Sequence, residues 1–283
     1  AGQRANDTVS LADVAALKAS TPDSILVDAG GSLHGTTVAS MTGGMDMLSS
    51  FSAAGYDLQA FGAEDLAYGI ARLRSDANMG SGPSLAANLR DSDGAAIFYR
   101  STSWNRNRIT NGMNTVITRA GCRIGFFSLA DADAVNGKIG LVNEETPFAN
   151  DLAQTASEQV AALQAQGVDA IICVTTPGVD TAALQTTLKD LGVTAVIDGS
   201  GTAATQDGVY SAGAALGLDG VARFDLVFTQ GGGVAVRGAD NVTAAALQAS
   251  RATWESLAAA ADTTTTGSDA ADPDKDTEAV GGK

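Results

Sequence analysis

The chain has 283 residues, and its 17 basic and 32 acidic side chains give a formal charge of −15. Nucleic acids and acidic membrane surfaces bind through faces rich in Lys and Arg, so this charge argues against both as partners. Aromatic residues make up only 5%, so Val, Ile, Leu and Ala must build the core. No run approaches the roughly 18 to 20 apolar residues that span a bilayer, and we expect no membrane insertion.

Helices and strands alternate along the chain. Ser10 is the predicted N-cap of a helix over LADVAALKAS, and SILVDAGG is typical of a strand buried on both faces. The later elements, in order, are helix MDMLSSFSAAG closed by Gly55, strand DLQAFG, helix LAYGIARLRSDA, strands SGPSLAANL and AAIFYR, a hairpin over NTVITRAGCRIGFFSLA turning at Ala120-Gly121, helix PFANDLAQTASEQVAALQAQG, strand VDAIICVTT, helix TAALQTTLKDLG, strands VTAVIDGSG and GVYSAGA, and a hairpin over VARFDLVFTQGGGVAVRG. This order predicts an α/β fold whose parallel or mixed sheet has helices on both faces.

The composition changes near residue 259. Residues 1–258 are predicted to form a single domain, whereas 259–283 hold no Leu, Ile, Met or aromatic residue and are predicted to be a flexible acidic tail rich in Thr and Asp. Such a tail is typical of the stalk that joins an exported domain to a cell-envelope anchor, and equally of an ordinary disordered terminus. The two cysteines, Cys122 and Cys173, lie in apolar segments and are predicted to be buried small hydrophobic residues.

A ligand site is expected at the carboxyl ends of the strands, where open α/β sheets bind their ligands. These ends are the segments DAGGSLHG, FGAEDLAYG, CVTTPG and IDGSGT. Their carboxylates could converge on a hard cation such as Ca²⁺ or Mg²⁺, or could simply be solvated or cap helices, which the sequence favours; they are Asp28, Glu64, Asp65 and Asp198. His34, on the first loop, is either a ligand contact or polar surface.

The order of these motifs resembles that of a known family. The segments ILVDAGGSLHGT, AAGYDLQAFGAEDLAYG, PSLAANL, RIGFFSLA, QGVDAIICVTTPGVD and VTAVIDGSGT are similar, in content and spacing, to motifs of the metallophosphoesterase (calcineurin-like phosphoesterase) domain of secreted 5'-nucleotidases. The resemblance covers about residues 10–238. It implies a four-layered α-β-β-α sandwich, in which helices flank two stacked mixed sheets, and a dinuclear metal centre at the strand ends.

The metal ligands of that family are replaced in this chain. Asp28, which precedes the family's bridging Asp, is kept, but the ligand positions themselves hold Gly31, Ala63, Glu64, Thr176, Ser200 and Thr202. The family's first ligand pair, an Asp-x-His, has no clear counterpart. A dinuclear centre needs about five or six His, Asp and Asn donors, and the sequence holds one histidine. We therefore predict no metal, no cofactor and no catalytic residue of that family.

Several functions stay open at this stage. The preferred one is a non-catalytic, 5'-nucleotidase-like module of an exported or cell-envelope protein, which binds a protein or a small ligand of unknown identity. The alternative is a divergent metal-dependent phosphoester hydrolase with a rebuilt carboxylate site at the four strand ends, and a third is a subunit of a larger extracellular enzyme. Trp104 and Arg106 belong to a basic segment, RSTSWNRNR, that is either a contact surface or a solvated loop.

Overall fold

The computed structural model describes residues 9–34, 41–77, 82–91, 93–98, 112–137, 148–200, 204–206, 209–213, 220–229 and 233–265. The helices are α1 (Leu11–Ser20), α2 (Met45–Ala54), α3 (Ile70–Ala77), α4 (Ala132–Gly137), α5 (Leu152–Ala165), α6 (Thr181–Leu191) and α7 (Ala244–Thr265), with a 3-10 helix over Glu64–Tyr68. The strands are β1 (Val27–Asp28), β2 (Leu58–Ala60), β3 (Ser84–Leu85), β4 (Leu89–Arg90), β5 (Asn114–Arg119), β6 (Cys122–Leu129), β7 (Phe148–Ala149), β8 (Ala170–Thr175), β9 (Ala195–Asp198), β10 (Ala204–Gln206), β11 (Val209–Gly213), β12 (Gly220–Phe228) and β13 (Val234–Thr243).

Two larger sheets and two ribbons contain these strands. A three-stranded parallel sheet has the order β1-β2-β3, and a six-stranded mixed sheet has the order β10-β11-β9-β8-β6-β5. The central strands of the larger sheet run parallel, while β5 and β10 are antiparallel to their neighbours. The pairs β12-β13 and β4-β7 form two-stranded antiparallel ribbons. The larger sheet is mixed, as predicted, whereas the three described strands of the smaller sheet all run parallel. Both predicted hairpins are observed.

Three hydrophobic clusters separate the layers. Leu58 and Ala60 of β2 pack with Phe126 and Ile172 of the larger sheet, so the two sheets stack face to face. The other face of the larger sheet packs on α5 and α6, and α2 and α3 pack beside the three-stranded sheet. The result is the predicted α/β architecture, with stacked sheets between helices.

Local sequence signals explain where most helices begin and end. Ser10 caps α1 by accepting a hydrogen bond from the backbone N–H of Asp13, whose carboxylate binds back to the N–H of Ser10. The helix α2 ends at Gly55, which adopts φ +83°, and the aspartates before α5 and α6 cap those helices. The hairpin between β5 and β6 turns at Ala120 and Gly121, both with positive φ, as the sequence predicts.

Several predicted elements differ from the observed ones. The strand predicted over SILVDAGG is only two residues long and half-buried, because β1 lies at the edge of its sheet. The helix predicted over LAYGIARLRSDA is divided at Gly69, whose φ of +87° breaks helical geometry. SGPSLAANL forms two short strands, and AAIFYR contributes only a bridge between Ala96 and Arg90 among the described residues. PFANDLAQTASEQVAALQAQG begins with β7 and becomes helical at Leu152.

The helix α7 continues to Thr265 and so includes the first seven residues of the predicted tail, 259–265. Residues 266–283 lie outside the described part. Cys173 is fully buried as predicted, but Cys122 is half-buried because it begins β6 at the end of the sheet. Both thiols are free. No described helix is long and apolar enough to cross a lipid bilayer.

Candidate functional site

Loops that follow β1, β2 and β8 meet at the carboxyl ends of the strands. The side chain of Thr176 lies over the backbone of both other loops: a Cβ atom built on Gly62 would stand 2.5 Å from its Oγ1, and one built on Gly30 would stand 3.2 Å from its Cγ2. Pro177 similarly covers Gly31 and the loop after β9. Thr176 is completely buried, and within the described part of the chain its hydroxyl has no hydrogen-bond partner. Small residues and this Thr-Pro pair therefore fill the place where the strand ends converge.

Asp65 fastens two of these loops together. Its Oδ2 accepts hydrogen bonds from the backbone N–H groups of Gly31 and Gly62, each at 2.9 Å, and its Oδ1 accepts one from Leu33 at 3.2 Å. The residue is 2% exposed, and burial raises the pKa of its carboxyl although the three N–H groups oppose that shift. Both carboxylate oxygens accept backbone hydrogen bonds, so Asp65 holds the loop after β1 against the loop after β2.

His34 and Glu64 pair with each other on the exposed side of the site. His34 Nε2 lies 2.8 Å from the Glu64 carboxylate. Their hydrogen bond is the main reason why the pKa of His34 is raised above its ordinary value. Because both groups keep solvent contact, the pair contributes little to stability. It brings together two residues that the sequence placed on different loops.

Asp198 and Ser200 organise the loop after β9. The buried Asp198 carboxylate accepts a hydrogen bond from the Ser200 N–H at 2.8 Å, and the Ser200 hydroxyl accepts one from the Gly178 N–H at 3.2 Å. These contacts are those of an Asx-type turn that ties two loops together. Asp198 therefore holds the turn of its own loop and, contrary to the sequence-based expectation, is neither solvated nor a helix cap.

A row of polar residues crosses the three-stranded sheet on the face turned away from the other sheet. Asp28, Gln59 and Ser84 are direct neighbours in the strand register, and since Leu58 and Ala60 point toward the sheet interface, this row points the opposite way. The Gln59 amide and the Ser84 hydroxyl are buried and have no hydrogen-bond partner among the described residues. Neither Gln59 nor Ser84 was predicted from the sequence, although a Gln inside the short apolar strand DLQAFG is a signal for a buried polar group.

Burial strongly perturbs the carboxyl group of Asp28. It raises the pKa of Asp28 to about 7; the nearby Asp65 raises it further, and the Ser32 hydroxyl, which donates to Oδ1 at 2.6 Å, opposes the shift. A carboxyl group that titrates near neutral pH has a different charge on either side of that pH. The folded chain therefore holds a proton here over a pH range in which the unfolded chain has lost it.

We expect the Asp28→Asn substitution to stabilise the protein above pH 7. The folded pKa of Asp28 exceeds its unfolded value of 3.8, so its stabilising contribution is complete below pH 4 and disappears as the pH rises through 7. Three pKa units correspond to about 4 kcal/mol, and partial solvent contact of the residue reduces the expected gain at pH 8 to about 2 kcal/mol. Urea denaturation of both proteins at pH 4 to 8 measures this difference.

The exposed Asp23 supplies the matched control, because Asp23→Asn also removes one negative charge. We expect the D28N advantage in the free energy of unfolding to grow between pH 4 and 7, and the D23N protein to show no such growth. An equal advantage for D28N at all pH values would contradict a buried, protonated Asp28.

The remaining predicted site residues lie outside the described part of the chain; they are Thr202, Trp104 and Arg106. Ala63 is buried in the core beside α3, and its side chain carries no ligating atom. Among the described residues, no group of three or more His, Cys, Asp or Glu side chains is placed to hold a metal ion. Asp65 lies close enough to Asp28 to raise the pKa of the Asp28 carboxyl.

Solved structures identify this arrangement of sheets and loops. The chain matches the 5'-nucleotidase precursor of Thermus thermophilus with a TM-score of 0.65 and 17% identity, over 89% of this chain and 54% of that one. It matches a calcineurin-like phosphoesterase from Bacillus subtilis with a TM-score of 0.61 and 15% identity, over 90% of each chain. The chain has the metallophosphoesterase-type α/β fold. The fold expected from the order of its motifs is thereby confirmed.

The same fold appears in a putative 5'-nucleotidase from Staphylococcus aureus, solved in complex with alpha-ketoglutarate, with a TM-score of 0.64 and 13% identity over 88% of this chain and 53% of that one. The present chain thus spans about half the length of the two nucleotidases. No protein-family model and no curated protein sequence matches it. At identities below 20%, these likenesses define the metallophosphoesterase fold and leave the activity to be argued from the site.

Proposed function

We propose that this chain is a non-catalytic member of the metallophosphoesterase fold, which serves as a binding or structural module. The observation that carries this proposal is the packing of Thr176 and Pro177 over the glycines of the neighbouring loops. Where the loops after β1, β2 and β8 touch, the contacts are made by a hydroxyl-bearing side chain, a proline ring and glycine backbone. Such groups do not hold two cations about 4 Å apart or activate a bound water.

The four strand-end carboxylates support the same proposal. The carboxylate oxygens of Asp65 accept hydrogen bonds from three backbone amides. The carboxylate of Asp198 accepts one from the backbone N–H of Ser200 in its own turn. Glu64 is paired with His34 at the exposed side. Asp28 accepts a hydrogen bond from the Ser32 hydroxyl through its Oδ1. A rebuilt carboxylate centre would need these groups to turn away from the contacts that hold the loops.

Assays of phosphoester hydrolysis test the proposal. The purified chain is incubated with AMP and with bis(p-nitrophenyl) phosphate in the presence of Mg²⁺, Mn²⁺ or Zn²⁺, and the Thermus thermophilus 5'-nucleotidase serves as the positive control. We expect rates equal to those of the metal in buffer, because no activated water is formed. Turnover that the Asp28→Asn variant loses would favour the divergent hydrolase instead.

We also propose that the chain is exported and functions at the cell envelope or outside the cell. This rests on the scarcity of lysine and cysteine, on the acidic Thr-rich composition of residues 259–283, and on the description of one structural neighbour as a precursor. Protease treatment of intact host cells tests it. Digestion of the protein without lysis supports export, and protection until lysis would contradict it.

A further inference from the structure

Three polar side chains stand side by side on the outer face of the three-stranded sheet. In the parallel register Asp28 of β1 lies opposite Gln59 of β2, and Gln59 lies opposite Ser84 of β3. The residues on either side of Gln59, Leu58 and Ala60, pack toward the larger sheet, so this row faces away from it. Gln59 is therefore the centre of a polar row in an otherwise apolar sheet.

The middle and the β3 end of this row are closed off from solvent. Gln59 is 0% exposed and Ser84 is 6% exposed. Both ends of the Gln59 amide, Oε1 and Nε2, and the Oγ of Ser84 are buried and have no hydrogen-bond partner among the described residues. Burial of such groups without a partner costs stability, and folded proteins rarely leave them so. The two side chains therefore call for a further hydrogen-bonding group.

Asp28, on the other side of Gln59, is already engaged. Its Oδ1 accepts a hydrogen bond from the Ser32 hydroxyl at 2.6 Å, and the backbone N–H of Gly30 also binds the carboxyl group. Both of these donors belong to the loop after β1. The carboxyl group thus serves its own loop, and the Gln59 amide shares its lack of a partner with Ser84 alone in this row.

A direct bond between Gln59 and Ser84 would satisfy only half of the amide. The amide has two N–H donors and an acceptor oxygen, whereas the serine hydroxyl has one donor and two lone pairs. In the structure the amide and the hydroxyl are register neighbours, yet no hydrogen bond joins them. Polar groups on neighbouring strands, which lie about 4.8 Å apart, are at the separation that a bridging water spans.

We propose that an internal water molecule binds between the Gln59 amide and the Ser84 hydroxyl and belongs to the folded structure. Water fits because both side chains are neutral and because it supplies donors as well as acceptors. A metal cation would bind the oxygen atoms and leave the amide N–H groups without an acceptor. The water links β2 to β3 in a sheet whose strands β1 and β3 are each two residues long. The proposal does not depend on whether the chain hydrolyses phosphoesters.

Detection of the water tests the proposal directly. In a high-resolution crystal structure of the purified chain, we expect an ordered water within roughly 2.7–3.2 Å of Ser84 Oγ and of one end of the Gln59 amide. Magnetic relaxation dispersion of the water nuclei should count fewer long-lived internal waters in the Gln59→Met, Ser84→Ala double variant than in the wild type. An equal count, a direct bond between the two side chains without a water, or an ion with oxygen ligands at about 2.3–2.6 Å would overturn the proposal.

A double-mutant cycle measures the bridge in solution. Gln59→Met and Ser84→Ala should each raise the unfolding equilibrium constant about three- to tenfold, because each removes a hydrogen bond to the shared water. Their combined effect should be at least about twofold smaller than the product of the single effects, since the second substitution has no bridge left to break. A stabilising effect of either single substitution, which is expected for a buried polar group with no partner at all, would overturn the proposal.

Ser128→Ala supplies the matched control for this cycle. Ser128 also has a buried hydroxyl without a partner among the described residues, but its register neighbour on β8 is the apolar Val174. We expect the effects of Ser128→Ala and Gln59→Met on the unfolding equilibrium constant to multiply independently. Equal coupling of Gln59 to Ser128 and to Ser84 would show that the coupling is a general response of the core, and would contradict a water held by this pair.

Discussion

The Asp65→Ala variant is expected to lose about 3–4 kcal/mol of its free energy of unfolding. Asp65 is 2% exposed and accepts the backbone N–H groups of Gly31, Leu33 and Gly62. Without the carboxylate, three donors in a buried loop junction lack partners, and each such group costs roughly 1–3 kcal/mol unless water reaches it. For a chain of this length the change corresponds to a fall in Tm of about 6–12 °C. Urea denaturation followed by circular dichroism measures it.

The neighbouring Glu64 provides the control for this substitution. Glu64 has the same charge but is exposed, and its observed partner is the half-exposed His34. We expect Glu64→Ala to change the free energy of unfolding by no more than about 0.5 kcal/mol. If Asp65→Ala unfolded with the wild-type midpoint, the loops after β1 and β2 would not be held by this carboxylate, and Asp65 would again be free to act as a ligand.

The second large effect concerns Gly62, where even one methyl group meets the opposite loop. A Cβ atom at this position would lie 2.5 Å from Oγ1 and 2.8 Å from Cβ of Thr176. Overpacking of this kind costs about 1–3 kcal/mol, and we expect Gly62→Ala to fall in the upper half of that range because both loops are buried. Chemical denaturation of the variant gives the value.

Thr176→Gly supplies the compensating change. In a double-mutant cycle, the added methyl group at residue 62 should be tolerated once the Thr176 side chain is gone, so the combined loss should be at least about 1 kcal/mol smaller than the sum of the single losses. Strictly additive losses would show that the two loops are not in contact. That result would reopen the space in which a ligand could bind at the strand ends.

The sequence predicted most of the fold because its signals are local. The apolar run VDAIICVTT, the caps at Ser10 and Gly55, and the Ala120-Gly121 turn each determine one element from a few neighbouring residues. The order of the motifs along the chain then predicted which strand ends face the same edge. The likeness of the chain to metallophosphoesterase structures confirms that prediction.

The candidate site was predicted less completely, because its contacts join residues far apart in sequence. The sequence placed Asp65 among possible cation ligands, yet its three amide donors belong to two loops about thirty residues apart, and nothing local reveals their direction. The buried amide of Gln59 and the filling role of Thr176 depend on strand register and on loop packing in the same way.

We propose that the strand ends of this metallophosphoesterase-type fold hold no dinuclear metal centre. The most direct measurement is the metal content of the purified chain after equilibration with Mn²⁺ or Zn²⁺ and gel filtration, determined by mass spectrometry of the elements. A site without its donors should retain less than about 0.1 metal ion per chain. Retention of about two ions per chain, lost in the Asp28→Asn variant, would contradict the account.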